Sequence, residues 1–256
     1  MFKIASWNVN SLRVRLPHVL QWLESEQPDV LGLQELKMTD EQFPLTEINE
    51  AGYEAVFTGQ KTYNGVAILS KKAGEDVLRD MPGLEDEQRR YIATTINGVR
   101  VINLYVPNGQ EVGSDKYDYK LNWLDTLSTS LKSDLGQYDK IVVMGDFNIA
   151  PTDEDVHDPE SWKDRILCSK PERAALQKLM DLGLSDSFRL FEQEPKLFSW
   201  WDYRAAGFRR NLGLRIDLVL CSNTLKAVCS QSYVDKAPRK LERPSDHAPA
   251  VALFNL

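Results

Sequence analysis

The sequence has few of the features that mark membrane, secreted or disulfide-stabilised proteins. No apolar run approaches the roughly 20 residues that a membrane-spanning helix needs, and the amino terminus enters a strand-like pattern without signal-peptide architecture. The cysteines, Cys168, Cys221 and Cys229, are odd in number and lack the paired spacing of a zinc site. These absences predict a cytoplasmic protein that does not associate with a membrane, and they argue against a disulfide framework.

Charge is unevenly distributed along the chain, whose formal net charge is −7. Between 202 and 243, nine Lys or Arg residues stand against four Asp or Glu residues, so a basic segment adjoins an acidic body. A basic face of this kind can bind nucleic acid, and a solvated charged surface gives the same pattern. Both interpretations stay open at this point.

The 256 residues contain strand patterns joined by helices in some places and by hairpins in others. Asn97 and Gly98, a strong hairpin signal, join predicted strands at 91–96 and 99–105, so part of the sheet is antiparallel. About ten strands with amphipathic helices would form two packed mixed β-sheets flanked by helices, a four-layered α/β sandwich. No linker or repeat interrupts 1–256, which we expect to be a single domain and a monomer.

Several segments carry specific expectations about local structure. Leucines at helical spacing predict helices over 16–23, 121–131 and 176–180, and Pro17 is tolerable only near a first helical turn. An acidic helix is expected over 39–49, and a continuous strand over 214–220. Residues 151–171 are expected to form a long irregular loop, which in a compact domain is often functional.

The most informative stretch is 141–148, with the sequence IVVMGDFN. Its four apolar residues predict a buried strand, and Gly145 is expected to let the backbone turn and present two polar side chains. Asp146 and Asn148 would point to one side of extended backbone. A carboxylate beside an amide suits a metal-bound phosphate, but an Asp-Phe-Asn turn that caps a strand has the same sequence.

Other predicted strands also end in polar residues. These residues are Asn8, Glu35, Tyr105, Asp217, Asp246 and His247. A single residue of this kind often serves only a packing network, as a hydrogen-bonded structural histidine does. Together with Asp146 and Asn148, the set is large enough to indicate a catalytic site.

Five blocks of the sequence resemble, in order, the signature blocks of the exonuclease III family of apurinic/apyrimidinic endonucleases. The blocks are SWNVN at 6–10, LQE at 33–35, GDFN at 145–148, LRID at 214–217 and SDHAP at 245–249. The resemblance places the chain in the endonuclease/exonuclease/phosphatase superfamily and implies a deoxyribonuclease I-like fold. It also implies a divalent-metal-dependent DNA phosphodiesterase of base excision repair. Such an enzyme cleaves 5′ of abasic sites, or removes 3′ nucleotides and 3′ blocking groups, and leaves a 3′-OH.

The resemblance implies a role for each residue of the set. The implied metal is Mg²⁺ or Mn²⁺, and its implied ligands are Asn8, Glu35, Asp146, Asn148, Asp246 and His247. Asp146 would accept the proton of the attacking water, and Asn148 would orient that water or the phosphate. Asp217 would hold His247, whose imidazole would stabilise charge on the phosphate, and Tyr105 would donate a hydrogen bond to it.

Flanking residues make double-stranded DNA with abasic sites, nicks or 3′ ends the implied partner. The residues that match DNA-contacting positions of the family are Arg90, Asn108, Lys116, Lys120, Trp200, Leu214 and Ile216. The basic residues would contact phosphate oxygens, and the apolar residues would form a pocket for a sugar taken out of the duplex. The alternative for the tryptophans at 200 and 201 is burial in the core.

The loop that follows Asn148 departs from the family pattern. Residues 167–173, LCSKPER, lack the phenylalanine of the usual element and form a shorter loop. Because this loop borders the implied sugar pocket, one alternative is a 3′–5′ exonuclease or 3′-phosphodiesterase with little abasic-site activity. Two further alternatives are a phosphodiesterase for lipids or inositol phosphates, and a catalytically dead DNA-binding module. The last would require the loss of Glu35, Asp146 or His247, and all three are present.

Overall fold

The computed structural model describes residues 1–256 and contains two six-stranded β-sheets. The strands are β1 (Phe2–Asn8), β2 (Val30–Gln34), β3 (Glu54–Thr58), β4 (Val66–Ser70), β5 (Glu75–Leu78), β6 (Tyr91–Ile96), β7 (Val99–Tyr105), β8 (Ile141–Asp146), β9 (Leu184–Asp186), β10 (Trp200–Trp201), β11 (Gly213–Leu214), β12 (Asp217–Ser222), β13 (Cys229–Val234) and β14 (Ala250–Phe254). The helices are α1 (Leu12–Glu26), α2 (Leu45–Glu50), α3 (Asp115–Leu135), α4 (Pro159–Trp162), α5 (Lys170–Met180) and α6 (Asn223–Lys226). None of these helices has the length and apolar character needed to span a bilayer.

Both sheets are mixed, as the sequence predicted. The first has the order β13-β14-β1-β2-β4-β3 and the second the order β5-β6-β7-β8-β12-β9. The pairs β1/β2 and β7/β8 are parallel, and the remaining neighbours are antiparallel. Asn97 and Gly98 connect β6 to β7 with φ values of 51° and 74°, the positive values that a tight hairpin turn requires.

Alternate residues of the strands pack into different layers of the protein. In β8, Val142 and Met144 pack between the two sheets, whereas Ile141 and Val143 pack on the opposite face with residues of α3 and α5. The outer face of the first sheet packs in the same way against α1 and α2. The apolar run at 141–144 therefore reflects a strand covered on both sides, and the four-layered α/β sandwich is confirmed.

Two predicted helices have different bounds in the structure. Helix α1 begins at Leu12, so Pro17 lies in its interior rather than in its first turn. The acidic helix expected over 39–49 is instead a short 3₁₀ turn at Asp40–Gln42 followed by α2. Pro44 accounts for the break, since proline disfavours helical backbone in the residue before it.

The strand expected over 214–220 is divided between two sheets. Leu214 pairs with Trp200 in a small separate sheet, and the second sheet takes up the chain again at Asp217. Between them the buried Arg215 lies 2.7 Å from both Asp155 and Asp186, so this side chain leaves the strand pattern to form ion pairs. The expected loop at 151–171 also contains structure, namely a 3₁₀ turn at Asp153–Asp155 and the helix α4.

Candidate active site

The ends of five strands bring the predicted catalytic residues to one end of the two sheets. Asn8 ends β1 of the first sheet, and Glu35 follows β2 beside it. In the second sheet, Asp146 is in register with Tyr105 on one side and with Asp217 on the other. Residues in register on neighbouring strands project from the same face, so three polar side chains stand in a row facing the first sheet.

Two carboxylates and one imidazole converge at the centre of this row. One potential ligand atom from each of Glu35, Asp146 and His247 lies within 4.8 Å of the other two. The Asn8 amide Nδ2 donates to Glu35 Oε1 and to Asp146 Oδ2, both at 2.9 Å, and so holds the two acids together. Hard oxygen donors gathered in this way fit a divalent cation, which also offsets the repulsion between the two acids.

His247 is fixed between two acids. Its Nδ1 lies 2.9 Å from Asp217 Oδ2, and its Nε2 lies 3.8 Å from Asp146 Oδ2. Burial lowers the pKa of His247, but the charges of Asp217 and Asp146 outweigh burial and raise the pKa to about 10. The raised pKa favours an imidazolium that is oriented by Asp217 and can stabilise negative charge, whereas the role of His247 as a metal ligand stays a prediction.

Asp146 is the most perturbed acid of the site. Burial makes the largest contribution and raises its pKa, His247 opposes the shift, the negative charges of Asp217 and Glu35 add to it, and the net pKa is about 7. The side chain is nearly inaccessible to solvent, with a residue exposure of 1%. A carboxylate with a pKa near neutrality is well placed to accept a proton from water.

Glu35 and Tyr105 have opposite protonation behaviour. Burial raises the pKa of Glu35, but Lys37, 2.8 Å away, and the Asn8 hydrogen bond outweigh burial, so the net shift is downward. Burial and the charges of Glu35 and Asp146 raise the pKa of Tyr105 well above its ordinary value. Glu35 therefore stays anionic, as a cation ligand must, and Tyr105 stays a hydrogen-bond donor.

Gly145 does not make the turn that the sequence predicted. Strand β8 continues through it, and a Cβ added there would lie 2.0 Å from Leu104 O on β7, so glycine permits close strand pairing. The turn comes later, at Asn148, whose φ is 49° and whose backbone N–H donates to Asp146 Oδ1 at 2.9 Å. Asn148 Nδ2 donates to Val106 O at 3.0 Å. The Asp-Phe-Asn turn is therefore present. It is compatible with a catalytic role for Asp146 and Asn148, which stays a prediction.

Asp246 lies outside the group of potential ligands formed by Glu35, Asp146 and His247. Its Oδ1 accepts a hydrogen bond from Asn10 Nδ2 at 2.9 Å, and its Oδ2 accepts one from Trp200 Nε1 at 3.0 Å. These contacts place Asp246 next to the site and fix the partly exposed Trp200. Its role as a metal ligand stays a prediction.

Three of the predicted DNA-contacting residues share one open groove. Arg90, Asn108 and Lys116 line a groove of about 580 Å³. The groove borders the site, because the Arg90 guanidinium lies 4.6 Å from the centre of the Tyr105 ring and Asn108 Nδ2 donates to Asn148 Oδ1 at 3.1 Å. This placement suits contact with a phosphate backbone.

Three other residues predicted to contact DNA, Lys120, Leu214 and Ile216, are buried. The prediction that Lys120 contacts DNA is wrong, because its side chain is 0% exposed and its Nζ lies 2.5 Å from Glu172 Oε1. Leu214 and Ile216 are 0% and 2% exposed and pack in one apolar cluster with Leu167. Both side chains are therefore buried in the structure, and their part in a sugar pocket stays a prediction.

The basic segment at 202–243 does not form a uniformly basic face. Arg215 and Arg239 are 1% and 6% exposed. The Arg239 guanidinium lies over the rings of Trp201 and Phe208, and Arg204 pairs with its neighbour at 202. The prediction of burial is correct for Trp201, which packs in the core.

Two serines to which the sequence assigned no role form hydrogen bonds with the backbone of predicted site residues. Ser199 Oγ accepts the backbone N–H of Asp217 at 3.0 Å. Ser245 Oγ donates to Asn8 O at 2.7 Å and accepts the backbone N–H of His247 at 3.2 Å. Ser245 belongs to the SDHAP block, but nothing in the sequence around Ser199 marks it.

Comparison with known proteins agrees with this geometry. The model of the endonuclease/exonuclease/phosphatase family matches residues 5–247. The chain belongs to this family. Exodeoxyribonuclease III of Haemophilus influenzae is 39% identical over 266 aligned positions, which cover 98% of this chain and 99% of the relative. The exonuclease III resemblance of the five blocks is therefore confirmed.

Solved structures of family members share the fold over its whole length. A 3′ phosphatase, NExo, from Neisseria, solved with a product DNA hairpin, has a TM-score of 0.98 and 47% identity, with complete coverage of both chains. An AP endonuclease from Archaeoglobus fulgidus has a TM-score of 0.95 and 39% identity, again with complete coverage of both chains. The deoxyribonuclease I-like fold expected for this family is confirmed.

Proposed function

We propose that this protein is a divalent-metal-dependent DNA phosphodiesterase of base excision repair that acts at the 3′ ends and abasic sites of double-stranded DNA. We further propose that residues 1–256 form one catalytic domain of a cytoplasmic monomer. The observation that carries the proposal is the convergence of Glu35, Asp146 and His247 within 4.8 Å. The adjoining groove with Arg90 and Lys116 favours a nucleic acid over a lipid or an inositol phosphate as substrate.

Each residue of the site has a defined part in the proposed reaction. Glu35 and Asp146 would hold Mg²⁺ or Mn²⁺, which when bound offsets the negative charge of the phosphate. Asp146 accepts the proton of the attacking water, and the amide of Asn148 orients that water or the phosphate. The His247 imidazolium and the Tyr105 hydroxyl donate hydrogen bonds to the non-bridging phosphate oxygens, where charge builds as the bond to the 3′-oxygen breaks.

One observation favours a second candidate, a 3′-end enzyme with little abasic-site activity. Leu167 and Cys168, from the loop that departs from the family pattern, are 5% and 4% exposed and pack in the cluster with Leu214 and Ile216. A sugar taken out of the duplex would have to displace these side chains, whereas a 3′ terminus need not enter the cluster. The Neisseria relative is named as a 3′ phosphatase.

Cleavage of three DNA duplexes would test both candidates. The duplexes carry a recessed 3′-phosphate, a recessed 3′-OH and an internal abasic site, and each is incubated with Mg²⁺, with Mn²⁺ or with chelator. The proposal expects metal-dependent products that Asp146→Ala abolishes. A suitable control is Asp139→Ala, since Asp139 is an exposed acid just before the opposite end of β8. Intact DNA in every metal-containing reaction would refute the proposed function, and the ratio of abasic to 3′-end products decides between the candidates.

A further inference from the structure

A buried ion pair beside the site has no part in the chemistry described so far. Lys120 of α3 and Glu172 of α5 are both 0% exposed, and Lys120 Nζ lies 2.5 Å from Glu172 Oε1. The pair connects two helices that pack on the outer face of the second sheet. It lies directly behind the loops that carry Asn108 and Asn148.

The ammonium group of Lys120 has all of its donors occupied. Its Nζ donates to Asn148 O at 2.6 Å, to Asn108 O at 3.2 Å and to Glu172 Oε1. An ammonium has three N–H donors, so none is left for a DNA phosphate. The two carbonyls belong to residues whose side chains also meet, since Asn108 Nδ2 donates to Asn148 Oδ1 at 3.1 Å. The Lys120 ammonium group therefore binds the backbone carbonyls of two neighbouring site residues.

Glu172 cannot move away from the Lys120 ammonium group without breaking several other hydrogen bonds. Its Oε1 also accepts the backbone N–H of Leu167 at 3.0 Å. Its Oε2 accepts the backbone N–H of Ser169 at 3.1 Å and the Ser169 hydroxyl at 2.6 Å, in the capping box of α5. The carboxylate is thus fixed by the loop that fills the apolar cluster, and it fixes Lys120 in turn.

We propose that Lys120 is a positioning residue, which sets the backbone of Asn108 and Asn148 for the reaction while Glu172 acts as its anchor. The inference rests on the proposed function, because it concerns the same site. Asn148 has a φ of 49°, a left-handed conformation that costs energy in residues other than glycine and that neighbouring contacts stabilise. The Lys120 hydrogen bond to Asn148 O is one such contact.

A double variant separates this role from a contribution to stability. Lys120→Met with Glu172→Gln removes both charges with little change in side-chain volume, and so leaves no buried charge without its partner, which would be the more destabilising change. Methionine has no donor for the two carbonyls. We expect a kcat about 100-fold lower on a duplex with a 3′-phosphate at a temperature at which the variant is folded, since displacement of a site residue by about 1 Å has an effect of that size. Calorimetric Mn²⁺ affinity should be unchanged, because Lys120 forms no hydrogen bond with Glu35 or Asp146.

The chain offers a matched control between the same two helices. Lys178 of α5 and Asp125 of α3 form an ion pair at 2.6 Å with side chains 58% and 70% exposed. Lys178→Met with Asp125→Asn should leave kcat at the wild-type value. Lys120→Arg keeps the charge and has donors for both carbonyls, so at a temperature at which both proteins are folded its kcat should be about tenfold above that of the Lys120→Met/Glu172→Gln variant, a factor equivalent to about one hydrogen bond.

The outcomes distinguish this inference from the proposed function. Wild-type protein that cleaves none of the DNA substrates refutes the function, whereas wild-type kcat in the Lys120→Met/Glu172→Gln variant refutes only the positioning role. Amide hydrogen exchange over 146–150 tests the positioning role even without activity. It should be faster in this variant than in the control variant, and equal exchange would overturn the inference.

Discussion

Replacement of Asp217 by Asn should move the alkaline limit of activity towards neutral pH. Asp217 Oδ2 lies 2.9 Å from His247 Nδ1, and the two side chains are 0% and 5% exposed. Burial by itself lowers the pKa of His247 from 6.5, and the charges of Asp217 and Asp146 raise it to about 10. Asp217 makes the largest of the raising contributions, so its replacement removes much of the shift.

The size of the effect follows from the fraction of protonated His247. With a pKa back at about 6.5, only about 1% of the variant carries the imidazolium at pH 8.5, whereas nearly all of the wild type does. We therefore expect kcat to fall about 100-fold at pH 8.5 and by less than about tenfold at pH 5.5. The loss is larger at alkaline pH because the raised pKa of His247 keeps its proton on the folded wild-type protein at pH values at which an ordinary histidine has lost it. The stability gained from that proton is likewise complete below 6.5 and is lost as pH rises through about 10.

The assay is the pH profile of kcat for release of a 3′-phosphate from a DNA duplex at saturating divalent metal. Asp134→Asn is the matched control, because Asp134 is another buried acid, 8% exposed, whose pKa burial raises. It interacts with Arg100, which is in register with Ile141 at the opposite end of β8 from Asp146. The reasoning is refuted if Asp217→Asn loses the same factor at every pH, or keeps the wild-type alkaline limit.

Three other perturbations have outcomes that the structure sets. Cation binding must displace the proton from Asp146, whose pKa is raised to about 7, chiefly by burial. The calorimetric Kd for Mn²⁺ should therefore rise about tenfold for each pH unit below about 7. A Kd that does not change with pH would contradict the assignment of Asp146 as a metal ligand. Lys116→Ala should raise KM on DNA and reduce the slope of log affinity against log salt by about one, unlike Lys132→Ala at the far end of α3; equal slopes would remove Lys116 from the interface. Gly145→Ala should destabilise the protein by about 3 kcal/mol in urea unfolding, because its Cβ would lie 2.0 Å from Leu104 O; a loss below about 1 kcal/mol would show that the strands separate easily.

The central strands of both sheets were predictable from sequence, whereas three of the four edge strands were not. The central strand β8 has four consecutive apolar residues because both of its faces are covered, and such a run is visible without a structure. Strands β5, β9 and β13 were not predicted, and each lies at the edge of a sheet. Strand β5 has only four residues, mostly exposed, so little apolar periodicity marks it.

The site was predictable as a set of residues because strand ends supply its geometry. Asp146, Tyr105 and Asp217 each end or begin a strand of one sheet, and pairing in register brings them together without any information about loops. Asn8 and Glu35 come from the first sheet, so their approach depends on how the two sheets stack. The apolar residues on both faces of the strands predict that the two sheets pack together, but not which strand ends meet. The resemblance of the five motifs to the family was needed to place Asn8 and Glu35 beside Asp146.

The error at Lys120 came from residue type, although helical phase carried the correct answer. The buried residues of α3 include Tyr117, Lys120, Leu124, Leu127 and Leu131, at the spacing of one helix face. A lysine on that stripe must either extend to the surface or find an acid inside, and here it meets Glu172. Lys116 falls one residue before the stripe and is exposed. The helix face on which a basic residue next to an active site lies therefore determines its role. On the exposed face its side chain is free to contact DNA, whereas on the buried face its N–H donors are already bonded to the protein and it can only position other residues.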